Sequence, residues 1–239
     1  MKNKHSVLAV MSHPGEVSTL CFGTLAKYKK MGAKVSWCCV TDGAGGHKML
    51  PKDMAKLAAE RQVHERATAK LIGANVSFLG VQDCMAFKMD DYILKIVDVI
   101  RQVQPTVVIT HYPDDHHPDN RYVSQATLTA AAIASTFNIK TAHEATTVRP
   151  ALFYVDAWVH KTFVPHHYVD ITSTFALKMK ALANNKLGVA WLRDFDNMSI
   201  FDLVETNAKA HGLQSGCKYA EAFQVEPHWP SPASTYVLP

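Results

Sequence analysis

Charge imbalance is the first thing this 239-residue chain has little of: 25 Lys and Arg stand against 21 Asp and Glu, a formal +4. That is too mild and too scattered to mark a nucleic-acid surface. Disulfide chemistry is lacking as well. The five cysteines (Cys21, Cys38, Cys39, Cys84, Cys217) are odd in number, contain no CxxC pair and lie mostly in apolar surroundings, the pattern of reduced thiols in a cytoplasmic protein. Apolar runs are short: the N-terminal one ends at Ser12 with no cleavage-type site after it, and the charge-free stretch 122–139 is broken by Ser, Gln, Thr and Asn. Neither a signal segment nor a membrane span is expected. With 48% apolar and 19% charged residues, disorder and a disulfide-stapled miniature are excluded. Three common catalytic loops are missing too. The loop after the first apolar run is Ser12-His13-Pro14-Gly15-Glu16 and not GxGxxG, Gly43–Lys48 lacks P-loop spacing, and no GxSxG occurs. What the chain does have is histidine, 13 residues of it, a common metal ligand and acid/base.

Apolar runs of strand character at Val7–Met11, Val35–Val40, Val76–Leu79, Val107–Thr110 and Leu152–Ala157 alternate with helical patterns at Glu16–Met31, Asp53–Leu71, Asp90–Val103 and Arg121–Thr136. Helices at Phe175–Leu192 and Met198–His211 follow, and the tail from Gln214 is expected to wrap back over the body. The alternation predicts one α/β domain over residues 1–239, Rossmann-like, with a mostly parallel sheet and helices on both faces. Ligands of such sheets sit at the carboxyl ends of the strands, which directs attention to the loops 12–16, 41–51, 80–87 and 111–121.

Two of those loops carry a resemblance. Ser12-His13-Pro14-Gly15-Glu16 and His111-Tyr112-Pro113-Asp114-Asp115-His116-His117-Pro118-Asp119-Asn120 resemble the AHPDDE and HPDH motifs of the LmbE/PIG-L family of zinc-dependent N-deacetylases, which act on N-acetylglucosamine-type substrates and related amides. The similarity continues through Gly23-Thr24-Leu25, Thr41-Asp42-Gly43, Arg61, Leu79-Gly80 with Asp83, Tyr168–Thr172 and Tyr219–Phe223. It implies zinc held by the first motif's His and second Asp and by the last His of the second motif, with water in the open position. It also implies a general base at the first Asp and an oxyanion-stabilising or protonating His, oriented by the Asp of HPDH. Carried onto this chain, metal ligation falls on His13, Glu16 and Asn120, catalysis on His117 and Asp119, and substrate contact on Asp42, Arg61 and Asp83. The implied partners are a small amino-sugar-like or other N-acyl ligand and further copies of the chain in a homo-oligomer, with no nucleic acid and no membrane.

The pattern is departed from where it matters. Gly15 stands at the base position, Glu16 is one methylene longer than the Asp it replaces, and Asn120 offers a neutral amide in place of imidazole. His64 replaces the Glu of the family's RxxE, and Asn185-Lys186-Leu187-Gly188 stands where HxSQ is common. Losing the base alone costs ~10²–10⁴ in rate. The expectation is therefore a deacetylase-family protein with a degenerate metal and base motif, impaired or repurposed as an amide hydrolase. Two alternatives stay open. One is an active metal-dependent deacetylase in which Glu16 is ligand or base and Asn120 or His64 completes the coordination. The other is a non-catalytic ligand-binding or regulatory subunit. Among the remaining candidates, a reach of His47 and His64 to the site from neighbouring loops, partly rebuilding a metal centre, is the lesser reading, and Glu16 is either a metal ligand or simply an N-terminal helix charge. Asp114–His116 reads as a solvated turn, and His166 and His167 as structural.

Overall fold

Val7, Ala9 and Met11 turn to one side of the first strand and Leu8 and Val10 to the other, and all five are fully buried. A strand with this pattern has to be covered on both faces. The computed structural model, which describes residues 5–45, 53–157, 162–227 and 238–239, shows how. Five mutually parallel strands, β1 (Ser6–Met11), β2 (Lys34–Thr41), β3 (Asn75–Val81), β4 (Val107–Thr110) and β5 (Ala151–Val155), are extended by β7 (Ala220–Val225), antiparallel to β5, and by β6 (His167–Asp170), antiparallel to β7. The sheet order is β3-β2-β1-β4-β5-β7-β6, the mostly parallel sheet that the sequence predicts.

Eight helices are described: α1 (Glu16–Leu20), α2 (Phe22–Lys30), α3 (Met54–Lys70), α4 (Ile93–Val103), α5 (Pro118–Ile133), α6 (Phe175–Asn184), α7 (Lys186–Phe195) and α8 (Ile200–Ser215). Val17, Phe22, Leu25, Tyr28, Phe175 and Ala208 pack on one face of the sheet. Ile96, Val97, Ile100, Val123, Ala126 and Ala130 pack on the other. No helix among the described residues is long and apolar enough to cross a membrane, and all five cysteines are free.

Two expected helices are each two. The pattern over 16–31 breaks at Cys21 (φ −142°), where a carboxylate from elsewhere starts α2. Glu221 on β7 accepts from Gly23 N (3.0 Å) and Thr24 N (2.8 Å), supplying the anionic N-terminal cap that α2's own sequence lacks. The pattern over 175–192 breaks at Asn185, whose Oδ1 accepts from Gly188 N (3.1 Å) and caps α7. Conversely, α5 begins earlier than the expected Arg121, with His117 as N-cap and Pro118 in the first turn, where proline costs no helical hydrogen bond. Part of the tail is also corrected: residues 220–225 do not lie over the body but enter the sheet as β7, between β5 and β6.

Candidate functional site

The chain leaves β1 toward β2 and β3 on one side, while β4 and β5 continue on the other. Neighbouring crossovers therefore diverge between β1 and β4, opening a crevice at their carboxyl ends. His13 follows β1 and His111 follows β4, and the loops after β2 and β3 lean in from the side.

His13 is the centre of the cluster. Its Nδ1 lies 2.8 Å from Glu16 Oε1, and its Nε2 lies 3.0 Å from Asp83 Oδ1 and 3.4 Å from Asp119 Oδ2. The extra methylene of Glu16 lets its carboxylate fold back on the same loop, where Oε2 also takes the His13 backbone N–H (2.7 Å). His111, fully buried, accepts the Ser12 N–H at Nε2 (2.9 Å), and that nitrogen also stands 3.1 Å from Glu16 Oε2. Burial alone would lower His13, but the Glu16 charge and the hydrogen bonds to Asp119 and Asp83 hold it well above the usual imidazole range. Burial would raise Glu16, yet the His111 and His13 rings keep it well below the usual carboxylate range. Asp83, also pushed up by burial, is brought down to about 2 chiefly by His13.

Asp83 and Asp119 are anchored by backbone. Asp83 accepts from Gly45 N (2.9 Å) and Cys84 N (3.0 Å), and Asp119 accepts from Cys84 N (2.8 Å) and Ala86 N (3.3 Å). The His117 ring stands edge-on to His13, 4.7 Å between centroids. Its Nδ1 accepts the Asp119 backbone N–H (3.2 Å), while the Asp119 carboxylate serves the 84–86 turn and His13. Burial and the His13 charge lower the His117 pKa. Asp42 Oδ1 accepts from Ala44 N (2.9 Å) and Asp83 N (3.1 Å), shaping the loop after β2. Arg61 is buried beside Gly43, its Nη1 donating to Pro14 O (3.4 Å) and its Nε without a partner among the described residues.

Gly15, at the place of the expected base, has φ +100°, a conformation side-chain-bearing residues rarely adopt. A Cβ there would overlap Asn185 Nδ2 and lie 2.5 Å from Asn185 Cγ. The room for a side chain at position 15 is filled by the Asn185 carboxamide. The Gly15 N–H donates to Glu65 Oε2 (2.7 Å), and Glu65 Oε1 takes the Trp37 Nε1–H (2.8 Å). Glu65, His111 and Asn185 are participants that sequence reasoning missed. Glu65 had a signal, a carboxylate on the buried face of α3 one residue beyond the family's acidic position.

The three residues at the expected zinc positions do not make a zinc set. Glu16 is turned back onto His13 and its own loop, Asn120 is a neutral amide, and the buried Asn120 Oδ1 has no partner among the described residues. Among the described residues, the metal-capable groups that do converge are His13 with His117 and Asp119, and Asp83 with Cys84 and Asp119. Asp115, expected in a solvated turn, is buried and accepts from His117 N (2.8 Å), while His116 is exposed as expected. His64 is on α3 with its Nδ1 unpartnered among the described residues, and His47 lies outside those residues.

Known proteins share this fold. Diacetylchitobiose deacetylase of Thermococcus kodakarensis is 24% identical over 229 residues, covering 92% of this chain and 83% of that protein. The inhibitor-bound N,N'-diacetylchitobiose deacetylase of Pyrococcus horikoshii superimposes with a TM-score of 0.80 at 23% identity, over 95% of this chain and 85% of its own. The 4-carboxy-2-hydroxymuconate hydratase of Pseudomonas putida KT2440 superimposes with a TM-score of 0.81 at 20% identity, over 96% of this chain and all of its own; one fold thus bears two differently named activities. Residues 8–131, just over half of the sequence, match the family model described as PIG-L, GlcNAc-PI de-N-acetylase, and they hold β1, β4 and both loops that meet at His13. The chain belongs to the PIG-L family.

Proposed function

We propose that this protein keeps the ligand crevice of the PIG-L family but not its amide-hydrolysing centre, and that it acts on, or holds, a small amino-sugar-like or other N-acyl ligand in an impaired or repurposed form of the family's chemistry. The observation that carries this reading is Asn185. Its carboxamide fills the volume a side chain at position 15 would need, so the loss of the base is built into the packing of α7 against the His13 loop. Among the described residues, the carboxylates around His13 are already engaged: Asp83 and Asp119 hold His13 and the backbone N–H groups of residues 45, 84 and 86. Glu16 spends both oxygens on His13 and the His13 backbone, and Glu65 spends both on Gly15 and Trp37. Without a positioned base, attack of water on an amide loses the ~10²–10⁴ that proton transfer contributes.

His13, His117 and Asp119 line the floor of the proposed crevice. Asp42, Arg61 and Asp83 form its wall, with Arg61 Nε, unpartnered among the described residues, the group best placed to gain from a ligand acceptor. A groove of 590 Å³ lined by Pro113, Pro118, Arg121, Tyr122, Gln125 and Tyr154 adjoins the first turn of α5 and gives an extended ligand room. The free cysteines agree with a reducing, cytoplasmic setting, and self-association belongs to the same proposal, to be read from light scattering. The deciding experiment measures acetate release from N-acetylglucosamine and diacetylchitobiose alongside ligand-induced thermal stabilisation. Stabilisation with no acetate release is expected. Acetate release matching that of a family member with an intact HPDD motif refutes the reading.

A further inference from the structure

We infer that His211 is a proton-operated clamp on the antiparallel end of the sheet: as imidazolium it ties α8 to the end of β5 and to β6 at once, and on losing its proton it releases one of the two. The clamp lies outside the crevice and works whether or not a ligand is held there.

Each nitrogen of the ring meets an oxygen. Nε2 lies 2.7 Å from Oδ2 of Asp156, one residue beyond β5, and Nδ1 lies 3.3 Å from Gln214 Oε1. The same Oε1 takes the Tyr168 hydroxyl of β6 (3.0 Å), so the amide presents its oxygen to both rings. A neutral imidazole has one N–H and serves one of these acceptors; imidazolium serves both. Among the described residues, Asp156 meets no other cation, and the pair is 14% and 22% exposed. It borders a cavity of about 20 Å³ lined by Thr19, Lys178, Asn207 and Glu221, which is room for one water. The buried Asn207 Nδ2, without a partner among the described residues, is a donor for that water. The charged and titratable groups gathered here are Asp156 after β5, Tyr168 on β6, Glu221 on β7 and Lys178 on α6, and the last two satisfy each other at 2.6 Å. Burial alone would lower His211, but the hydrogen bond to Asp156 and its charge, with smaller help from Gln214 and Glu221, hold it above the usual imidazole range. The clamp's contribution is therefore full below pH 6.5 and is lost as pH rises through the higher folded-state value. Its reach extends along the chain. Asp156 roots the connection to Thr162, which donates to Asp114 Oδ2 (3.1 Å) and accepts the Tyr112 hydroxyl at its carbonyl (3.3 Å). A proton on His211 thus firms both α8 and the root of a segment that buttresses the loop carrying His117 and Asp119.

The test combines histidine NMR on the full chain with hydrogen exchange of backbone amides, corrected for the intrinsic pH dependence of exchange. The His211 ring signal is identified by its contacts to the Tyr168 ring, 5.9 Å away between centroids. It should titrate above the ordinary 6.5, and Asp156→Asn should return it to that value or below. From pH 6 to pH 8.5, exchange at residues 153–157 and 208–212 should speed by ~3-fold or more in the unmodified protein, and by less than ~2-fold in Asp156→Asn. A contact that only packs α8 in place predicts no such pH dependence. Three results each overturn the inference: His211 titrating at or below 6.5, exchange in both segments unchanged between the two pH values, or full pH dependence kept in Asp156→Asn. If Asp156→Asn fails to fold, the first two, read on the unmodified protein, decide alone. Acetate release enters none of these readouts, so the outcome is separable from that of the functional proposal.

Discussion

Replacing Gly15 by aspartate would put back the residue that the family motif carries, and the structure predicts that the protein resists it. Two costs add. The backbone at position 15 has φ +100°, which costs a residue with a Cβ roughly 1–2 kcal/mol. The new Cβ would overlap Asn185 Nδ2 and come within 2.5 Å of Cγ and 2.9 Å of Oδ1, and overpacking of this kind costs about 1–3 kcal/mol. Gly15→Asp should therefore destabilise by about 3 kcal/mol, a fall in Tm of roughly 6–12 °C at ~2–4 °C per kcal/mol for a chain of this size. Asn185→Ala alone removes the cap on Gly188 N and should cost about 1 kcal/mol. In the double variant the overlap is gone and only the backbone and cap costs remain, about 2–3 kcal/mol together. The double-mutant cycle, measured by urea denaturation, should then show coupling of about 1–2 kcal/mol in the relieving direction. Additivity within about 0.5 kcal/mol would refute the claim that Asn185 occupies the base's place. The practical corollary is that no restoration of the motif succeeds at position 15 without cutting back position 185.

Other consequences are sharper in different assays. Burial pushes the Glu65 carboxyl from its ordinary 4.5 up to about 7 against the hydrogen bonds from Gly15 and Trp37. Because the folded state holds that proton more tightly than the unfolded chain, its contribution is full below pH 4.5 and is lost as pH rises through about 7, up to roughly 3 kcal/mol over that window. Urea midpoints between pH 4.5 and 7.5 should show this fall, and Glu65→Gln should flatten it; an unchanged slope counts against it. On the far side of α1, the buried Lys178 Nζ meets Glu221 Oε1 at 2.6 Å. Lys178→Met, which leaves that carboxylate without its cation, should cost about 3–5 kcal/mol, much of it regained in the Lys178→Met/Glu221→Gln double variant.

Much of the fold was legible because parallel strands buried on both faces announce themselves as continuous apolar runs, and Val7–Met11 and Val107–Thr110 do so unambiguously. The helix breaks at Cys21 and Asn185 were not legible for opposite reasons. The first depends on a cap from Glu221, 198 residues away from Gly23, which no local window contains. The second was written locally in Asn184-Asn185-Lys186, but the apolar spacing ran on through it. The candidate site shows the same division. The motif loops located His13, Glu16, His117 and Asp119 together, since each follows its strand directly. The contents of the side-chain space, Asn185 over Gly15 and Glu65 under it, required tertiary packing. The rotation of Glu16 from outward donor to partner of His13 could not be read from its identity alone.

The position of β7 bears on how the molecule comes into being. Residues 220–225 are threaded between β5 and β6, and Glu221 closes contacts on the first turn of α2. A nascent chain emerging from a ribosome therefore has β5 with a bare edge, β6 without the neighbour it pairs with, and α2 without its cap until residues 220–225 have been made. The last step of folding is expected to be slowed by that long-range closure, with the open β5 edge the segment most in need of protection until β7 arrives.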